Sequence, residues 1–268
     1  MPSDTGDHLI AGPSRRAASL FGLAGRSIVV TGAGRGLGRG LALAVAASGA
    51  RVVAVSRTAA ELAQTTALGP DGAMIALPWD IARVERADEL VERATELAGP
   101  IHGVVHAAGI QHRARAESFS VEEWRAVTAV DMDAPFFLST ALHRAQLAES
   151  RAGVHVFVGS LASSLGLRNV SAYAASKSGL LGIVRTLAVE WASSGARVNC
   201  LAPGYFKTEL TADLFADPER AAWVHSRIPM GRLGVAADLA GAAVFLLCDA
   251  SAYITGQVLN VDGGWLAG

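Results

Sequence analysis

A chain of 268 residues, with 51% hydrophobic and 18% charged side chains, can bury a substantial core and is too apolar for global disorder. A net charge of -1 offers no basic excess for nucleic acid and no acidic solvating tail. Two cysteines, Cys200 and Cys248, lack metal-ligand spacing and make no disulfide framework, and seven histidines without an H-E-x-x-H pattern point to no metal site.

No apolar run reaches the roughly 18 residues of a membrane helix, so no membrane partner is expected. Arg15-Arg16 before Ala17-Ala18-Ser19-Leu20-Phe21 faintly resembles a twin-arginine export signal. Gly22, Gly25 and Arg26 interrupt the apolar stretch and a strand starts at once, so residues 1–21 are expected as a flexible polar tail and the location as cytoplasmic.

From there β-branched runs alternate with helical stretches. Ile28–Thr31 is predicted as a strand and 37–48 as an Ala- and Leu-rich helix. Val52–Val55 is a second strand, with a helix near 58–67. Met74–Leu77 is a third, with a helix over about 81–98. Val104–His106 is a fourth, with a long helix around 121–149. Val154–Val158 is a fifth, with a helix around 171–194. Val198–Leu201 is a sixth, then a variable segment over 204–234, a helix around 235–248 and a closing strand at Val258–Val261. Parallel strands need crossover connections. The alternation therefore predicts an α/β fold: one doubly wound Rossmann-type domain over 22–268, with a mostly parallel seven-stranded sheet and helices on both faces.

Thr31-Gly32-Ala33-Gly34-Arg35-Gly36-Leu37-Gly38 falls between the first strand and the first helix. Free N–H groups and the helix dipole make such a place a pyrophosphate site, and glycine lets the backbone approach the anion. The glycine spacing is Gly32-x-x-x-Gly36-x-Gly38 rather than a strict G-x-G-x-x-G. After the second strand, Val55-Ser56-Arg57-Thr58 has no carboxylate until Glu61. With Arg35 in the glycine loop, Ser56 and Arg57 suit a ribose 2′-phosphate, which favours NADP(H) over NAD(H). Asp80 is either an adenine contact or an N-cap for a helix starting at Ile81.

Tyr173 and Lys177 stand at i and i+4 on one helical face. A free tyrosine titrates near pH 10, and a neighbouring cation is expected to favour its phenolate and make it a general acid or base. Ser160, at the end of the fifth strand, is placed to hydrogen-bond a substrate oxygen.

Taken together, Thr31–Gly38, His106-Ala107-Ala108-Gly109, Ser160, Tyr173/Lys177, Pro203-Gly204, Thr255-Gly256 and Asp262-Gly263-Gly264 resemble the short-chain dehydrogenase/reductase family over about 22–268. The resemblance implies that Lys177 also holds the nicotinamide ribose, that Pro203, Gly204 and Thr208 meet the nicotinamide end, and that Ala108 and Gly109 line the cofactor site. It also implies a homotetramer with the helices near 121–149 and 171–194 at one interface. Two positions depart from the family pattern. His106 and Ala107 replace two asparagines, and Asp131 stands where a catalytic asparagine normally falls. The family uses that residue through its backbone carbonyl, which Asp131 keeps, but its carboxylate could pair with Lys177.

The stretches Gly109–Arg113, Phe136–Ser139, Asp217–Arg220, Arg227–Arg232 and Val261–Ala267 are similar to sugar-acid dehydrogenases of the 2-deoxy-D-gluconate 3-dehydrogenase and gluconate 5-dehydrogenase type. An acidic substrate needs a cation, and His112, Arg113 and Arg168 are the candidates. The expected activity is hydride transfer between NADP(H) and a secondary alcohol or ketone of a polyol or sugar-acid-like substrate. A 3-oxoacyl thioester reductase and a cofactor-binding sensor that has lost turnover are the alternatives; Asp131 alone favours the second.

Overall fold

The structure, a computed structural model, describes residues 20–208 and 217–268. The expected tail over 1–19 and the middle of the variable segment, 209–216, lie outside the described residues. Leu20 and Phe21, also assigned to the tail, are described: Phe21 stacks on Phe245 with ring centroids 6.3 Å apart.

Seven strands form one sheet: β1 (Ser27–Thr31), β2 (Arg51–Ser56), β3 (Met74–Pro78), β4 (Ile101–His106), β5 (Val154–Val158), β6 (Arg197–Pro203) and β7 (Val258–Val261). Their order is β3-β2-β1-β4-β5-β6-β7, and every neighbouring pair is parallel. All residues of β1 and β6 are buried, as the continuous apolar runs predict for a sheet covered on both faces. One face is covered by α1 (Gly36–Ala47), α2 (Ala59–Ala67) and α8 (Ala236–Leu247). The other is covered by α3 (Ala87–Ala98), α4 (Val121–Thr128), α5 (Ala134–Ala148) and α6 (Ser171–Trp191). A further helix, α7 (Pro218–Arg227), lies inside the segment expected as variable.

The chain steps outward from β1 to β3 and then returns to the far side of β1. The strand order reverses between β1 and β4, and ligands of such sheets bind at that point, outside the carboxyl ends of the strands.

Two helices differ from expectation. The helix predicted from about 81 begins at Ala87, after a 3-10 turn at Val84–Arg86. Asp80 therefore does not cap it: its Oδ1 accepts a hydrogen bond from the Ala82 N–H within a turn, and the Arg86 guanidinium sits 4.2 Å over the Trp79 ring. The long helix predicted over 121–149 is split into α4 and α5 by a π turn at Ala129–Asp133.

A buried polar chain joins α5 to β4 and β5. His106 Nε2 and Ser139 Oγ lie 2.7 Å apart, and Ser139 Oγ lies 3.2 Å from His155 Nδ1. Burial drives the His106 pKa well below 6.5 and that of His155 to about 3, so both rings are neutral. A depressed histidine pKa contributes stability that is whole above pH 6.5 and is lost as pH falls toward the folded value. The expected slope is about 1.4 kcal/mol per pH unit for each ring once pH is well below 6.5. Urea unfolding between pH 7 and 5 measures it, and His155→Asn should flatten the slope. An unchanged slope in that variant would mean that His155 is not held neutral.

Candidate active site

The sequence-predicted cofactor residues lie in the glycine loop, near the carboxyl ends of strands or, for Tyr173 and Lys177, on α6, and all but Gly204 border one groove of about 780 Å³. Gly32 follows β1 with φ at +69°, and Gly36 opens α1 with φ at +55°. A Cβ on Gly32 would lie 2.6 Å from Ala108 Cα, and one on Gly38 would run into the Gly32 carbonyl. Only glycine therefore lets the loop after β1, the loop after β4 and the start of α1 meet this closely. No side chain caps the α1 N-terminus and no acidic residue lies in its first turn, which leaves its N–H groups and positive dipole end for an anion.

The loop is held from behind by two residues that the sequence reading did not single out. Arg39 donates to the Gly34 carbonyl through Nε (3.0 Å) and its terminal nitrogen, and Thr65 Oγ1 donates to the Ala33 carbonyl at 3.0 Å. Across the loop, Thr31 Oγ1 accepts from the Ala108 N–H at 3.2 Å.

At the far end of the groove, Arg35, Ser56, Arg57, Thr58 and Glu61 line the wall, with Asp80 beside them. Ser56 Oγ is buried without a hydrogen-bond partner in the protein. Such an atom costs about 1–3 kcal/mol unless something meets it, so this end of the groove fits a ligand bearing oxygens. Glu61 Oε1 stands 4.0 Å from the Arg35 guanidinium, so Glu61 and Asp80 set carboxylates amid the cations of this region.

At the other end, Tyr173 borders this groove and also a second pocket of about 580 Å³. Lys177 lies one turn along α6, with its Nζ 5.6 Å from the Tyr173 ring centroid. Nζ donates to the Val158 carbonyl at 3.0 Å and forms an ion pair with Asp131 Oδ2 at 3.4 Å. Lys177 and Asp131 side chains are 5% and 0% exposed. Burial acts to lower the Lys177 pKa, but the facing Asp131 charge and Tyr173 outweigh it and the net shift is upward, which keeps the ammonium charged. Burial also raises the Asp131 pKa, and Lys177 counters only part of that. Asp131 Oδ1 accepts from the Ile110 N–H at 2.8 Å, so the carboxylate ties the loop after β4 to the lysine. A Cβ on Gly109 would stand 3.2 Å from Asp131 Oδ2; glycine there leaves room for the pair.

Ser160 borders the second pocket, and its Oγ accepts from the Ala162 N–H at 3.1 Å. A hydroxyl has one donor and two acceptor positions, so its O–H remains to be given to a ligand. His106 does not reach the groove: its ring packs 4.6 Å from Phe157 in the core.

Of the three cations expected for an acidic substrate, Arg113 lines both pockets and Arg168 lines the second. His112 lines neither. Its Nε2 is 3.0 Å from Glu123 Oε1 and its ring meets Phe119 edge-on, so α4 draws it away from the site. Arg220 and Trp223, on α7, complete the second pocket and were not expected there. Their signal was present in Asp217-Pro218. Asp217 caps α7 by accepting from the Glu219 and Arg220 N–H groups, and proline occupies its first turn. Pro203 and Thr208 line both pockets, and Gly204 lines the second. No cluster of metal-binding side chains exists among the described residues, nor is any described helix long and apolar enough to cross a membrane.

A family model described as enoyl-(acyl carrier protein) reductase matches residues 32–266. The chain is 38% identical over 251 residues to a 2-dehydro-3-deoxy-D-gluconate 5-dehydrogenase of Escherichia coli (strain K12), covering 93% of this chain and 98% of that one. The chain belongs to the short-chain dehydrogenase/reductase family. Like other short-chain dehydrogenases/reductases it is an NAD(P)-dependent oxidoreductase acting on a CH–OH group. A second Escherichia coli K12 relative in the family, a 5-keto-D-gluconate 5-reductase, is 39% identical over 92% of this chain and 98% of its own. A solved gluconate 5-dehydrogenase of Burkholderia cenocepacia J2315, in complex with NADP and tartrate, superposes with a TM-score of 0.87 at 33% identity, covering 93% of this chain and 98% of that one.

Proposed function

We propose that this short-chain dehydrogenase/reductase transfers hydride between NADP(H) and a secondary alcohol or ketone of a sugar acid. The observation that carries the reading is Tyr173, which borders both the dinucleotide groove and the pocket holding Ser160. The relatives that act on gluconate derivatives support the substrate class. Bound in the groove, the nicotinamide supplies or takes up the hydride. Tyr173 exchanges the proton with the substrate oxygen, Ser160 donates its O–H to that oxygen, and Lys177 keeps a positive charge beside the phenol. Gly32, Leu37 and Gly38 border the pyrophosphate, and Lys177 holds the nicotinamide ribose. A panel of sugar acids, polyols, cyclic ketones and acyl thioesters, run with both cofactors, tests the reading; turnover of acyl thioesters alone would overturn it.

The preference for NADP(H) rests on the orphaned Ser56 hydroxyl and on Arg57 and Arg35 around it. Arg57→Ala should weaken NADPH by about tenfold or more, the loss of a charge-assisted contact, and NADH hardly at all. Fluorescence titration with both cofactors measures it, and equal losses would mean that Arg57 never meets a 2′-phosphate.

The protein is further read as a cytoplasmic homotetramer. Phe137 and Leu147 on α5 and Val189 on α6 leave large apolar side chains exposed, which suits packing of these helices between subunits. Both cysteines are buried free thiols, which suits a reducing compartment. One observation favours the reading without turnover: the Asp131–Lys177 pair could hold the lysine away from its role. A single turnover, followed by reduced-cofactor absorbance, separates the two.

A further inference from the structure

We propose that Arg168 and Arg220, with Arg113, form an anion subsite in the second pocket that receives the substrate carboxylate and sets a preference for acidic over neutral sugars. The proposal rests on the sugar-oxidoreductase reading above and assigns the residues that would enforce it.

Three separate elements each line this pocket with one arginine. Arg113 comes from the loop after β4, Arg168 from the loop after β5, and Arg220 from α7. No aspartate or glutamate is found among the described residues lining the pocket. Elsewhere in the chain arginines meet carboxylates closely: Arg26, Arg86, Arg93 and Arg232 have partners at 2.6 or 2.7 Å. Arg168 and Arg220 have no such partner among the described residues.

Two of the three cations act on Tyr205, which lines the same pocket. The Tyr205 phenol, pushed up by burial, is pulled back by Arg220, Arg113 and Arg227, so all three fields reach that hydroxyl. Arg227 is engaged otherwise, lying 5.5 Å over the Trp223 ring and 5.2 Å over the Trp265 ring, and it does not line the pocket. It holds the aromatic wall that Arg220 projects beside. On the opposite side, the Ala114 N–H donates to the Asn169 carbonyl at 3.1 Å and ties the Arg113 loop to the Arg168 loop. Asn169 adopts φ of +64°, a left-handed conformation that asparagine tolerates, and turns the chain directly after Arg168.

Like charges gathered in one pocket repel one another, and a carboxylate relieves that repulsion while accepting their N–H groups. A neutral polyol accepts weakly and cancels no charge. A guanidinium–carboxylate contact at these exposed positions is expected to be worth about tenfold in affinity, the low end for charged hydrogen bonds because solvent screens it.

The test compares 5-ketogluconate with the neutral ketose L-sorbose, using NADPH, in the native protein and in Arg168→Gln, Arg220→Gln and Arg220→Lys. Arg113 is left intact because it also borders the cofactor groove. The expected result is a rise of about tenfold in KM for 5-ketogluconate in each glutamine variant, with kcat changed far less and NADPH affinity unchanged. The acid-to-neutral ratio of kcat/KM should collapse accordingly, and Arg220→Lys should retain part of it. A native enzyme that reduces 5-ketogluconate, with both glutamine variants keeping its KM, would overturn the subsite and leave the proposed function standing. A native enzyme that reduces only the neutral ketose would overturn both.

Discussion

Tyr173→Phe should lower turnover by about 10³-fold or more while leaving NADPH affinity within about twofold of native. The substitution removes one oxygen and keeps the ring, so the packing of α6 and the Lys177 ammonium 5.6 Å from that ring remain in place. What is lost is the group that, in the proposed mechanism, gives a proton to the substrate oxygen as a ketone becomes an alcohol, or takes one in the other direction. Ser160 is a poor substitute, because its Oγ already accepts from Ala162 and no described base stands beside it to renew its proton. Stopped-flow absorbance of the reduced cofactor reads the chemical step, and fluorescence titration reads binding. Near-native single turnover in this variant would remove Tyr173 from the mechanism.

The second large effect concerns Asp131. Asp131→Ala leaves the buried Lys177 ammonium without its counter-charge and the Ile110 N–H without its acceptor. Breaking a buried pair from one side costs about 3–5 kcal/mol, so the urea midpoint of this variant should fall well below native. Asp131→Asn keeps an acceptor for Ile110 and should lie between the two. Lys177 has its pKa raised in the folded protein, so the stability it contributes is whole below its unfolded value of 10.5 and is lost as pH rises through the folded one. Asparagine removes the main upward influence while burial still pushes downward. The alkaline limb of the kcat/KM profile should therefore move to lower pH in Asp131→Asn. An unmoved limb would mean that the carboxylate does not tune the lysine. A large gain in kcat would mark Asp131 as a handicap and favour the sensor reading.

The strands were legible because β-branched runs such as Val52–Val55 leave little choice in a sheet covered on both faces, and six of the seven lead into a residue or turn that lines the pockets. The glycine loop was legible for a similar reason: its spacing has meaning only where a strand meets a helix. What escaped were features set by tertiary partners. Arg86, the residue before α3, lies over Trp79, and no local pattern reports that contact. His112 sits in a loop whose sequence suits a ligand, yet Glu123 on α4 takes it. Arg220 stood in plain view, but a segment read as variable hid the Asp217 cap that makes it helical. The Asp131–Lys177 contact was legible only as a possibility, because the two residues are 46 positions apart in number and are joined solely by packing.

The π turn at Ala129–Asp133 adds a phase shift to an otherwise continuous rod. One extra residue in a helix rotates everything beyond it by about 100°. Without that offset, α4 and α5 would present one shared stripe to one neighbour. With it, α4 faces α6 while α5 turns toward α3 and β4. Met132 settles against Gly179, where a Cβ would lie 2.8 Å from its sulfur, and the turn is seated on α6 with Asp131 aimed at the lysine. The angular slip thus sets which residue of the rod meets α6, and deleting Ala129 or Asp133 would retune the site without removing a side chain that lines it.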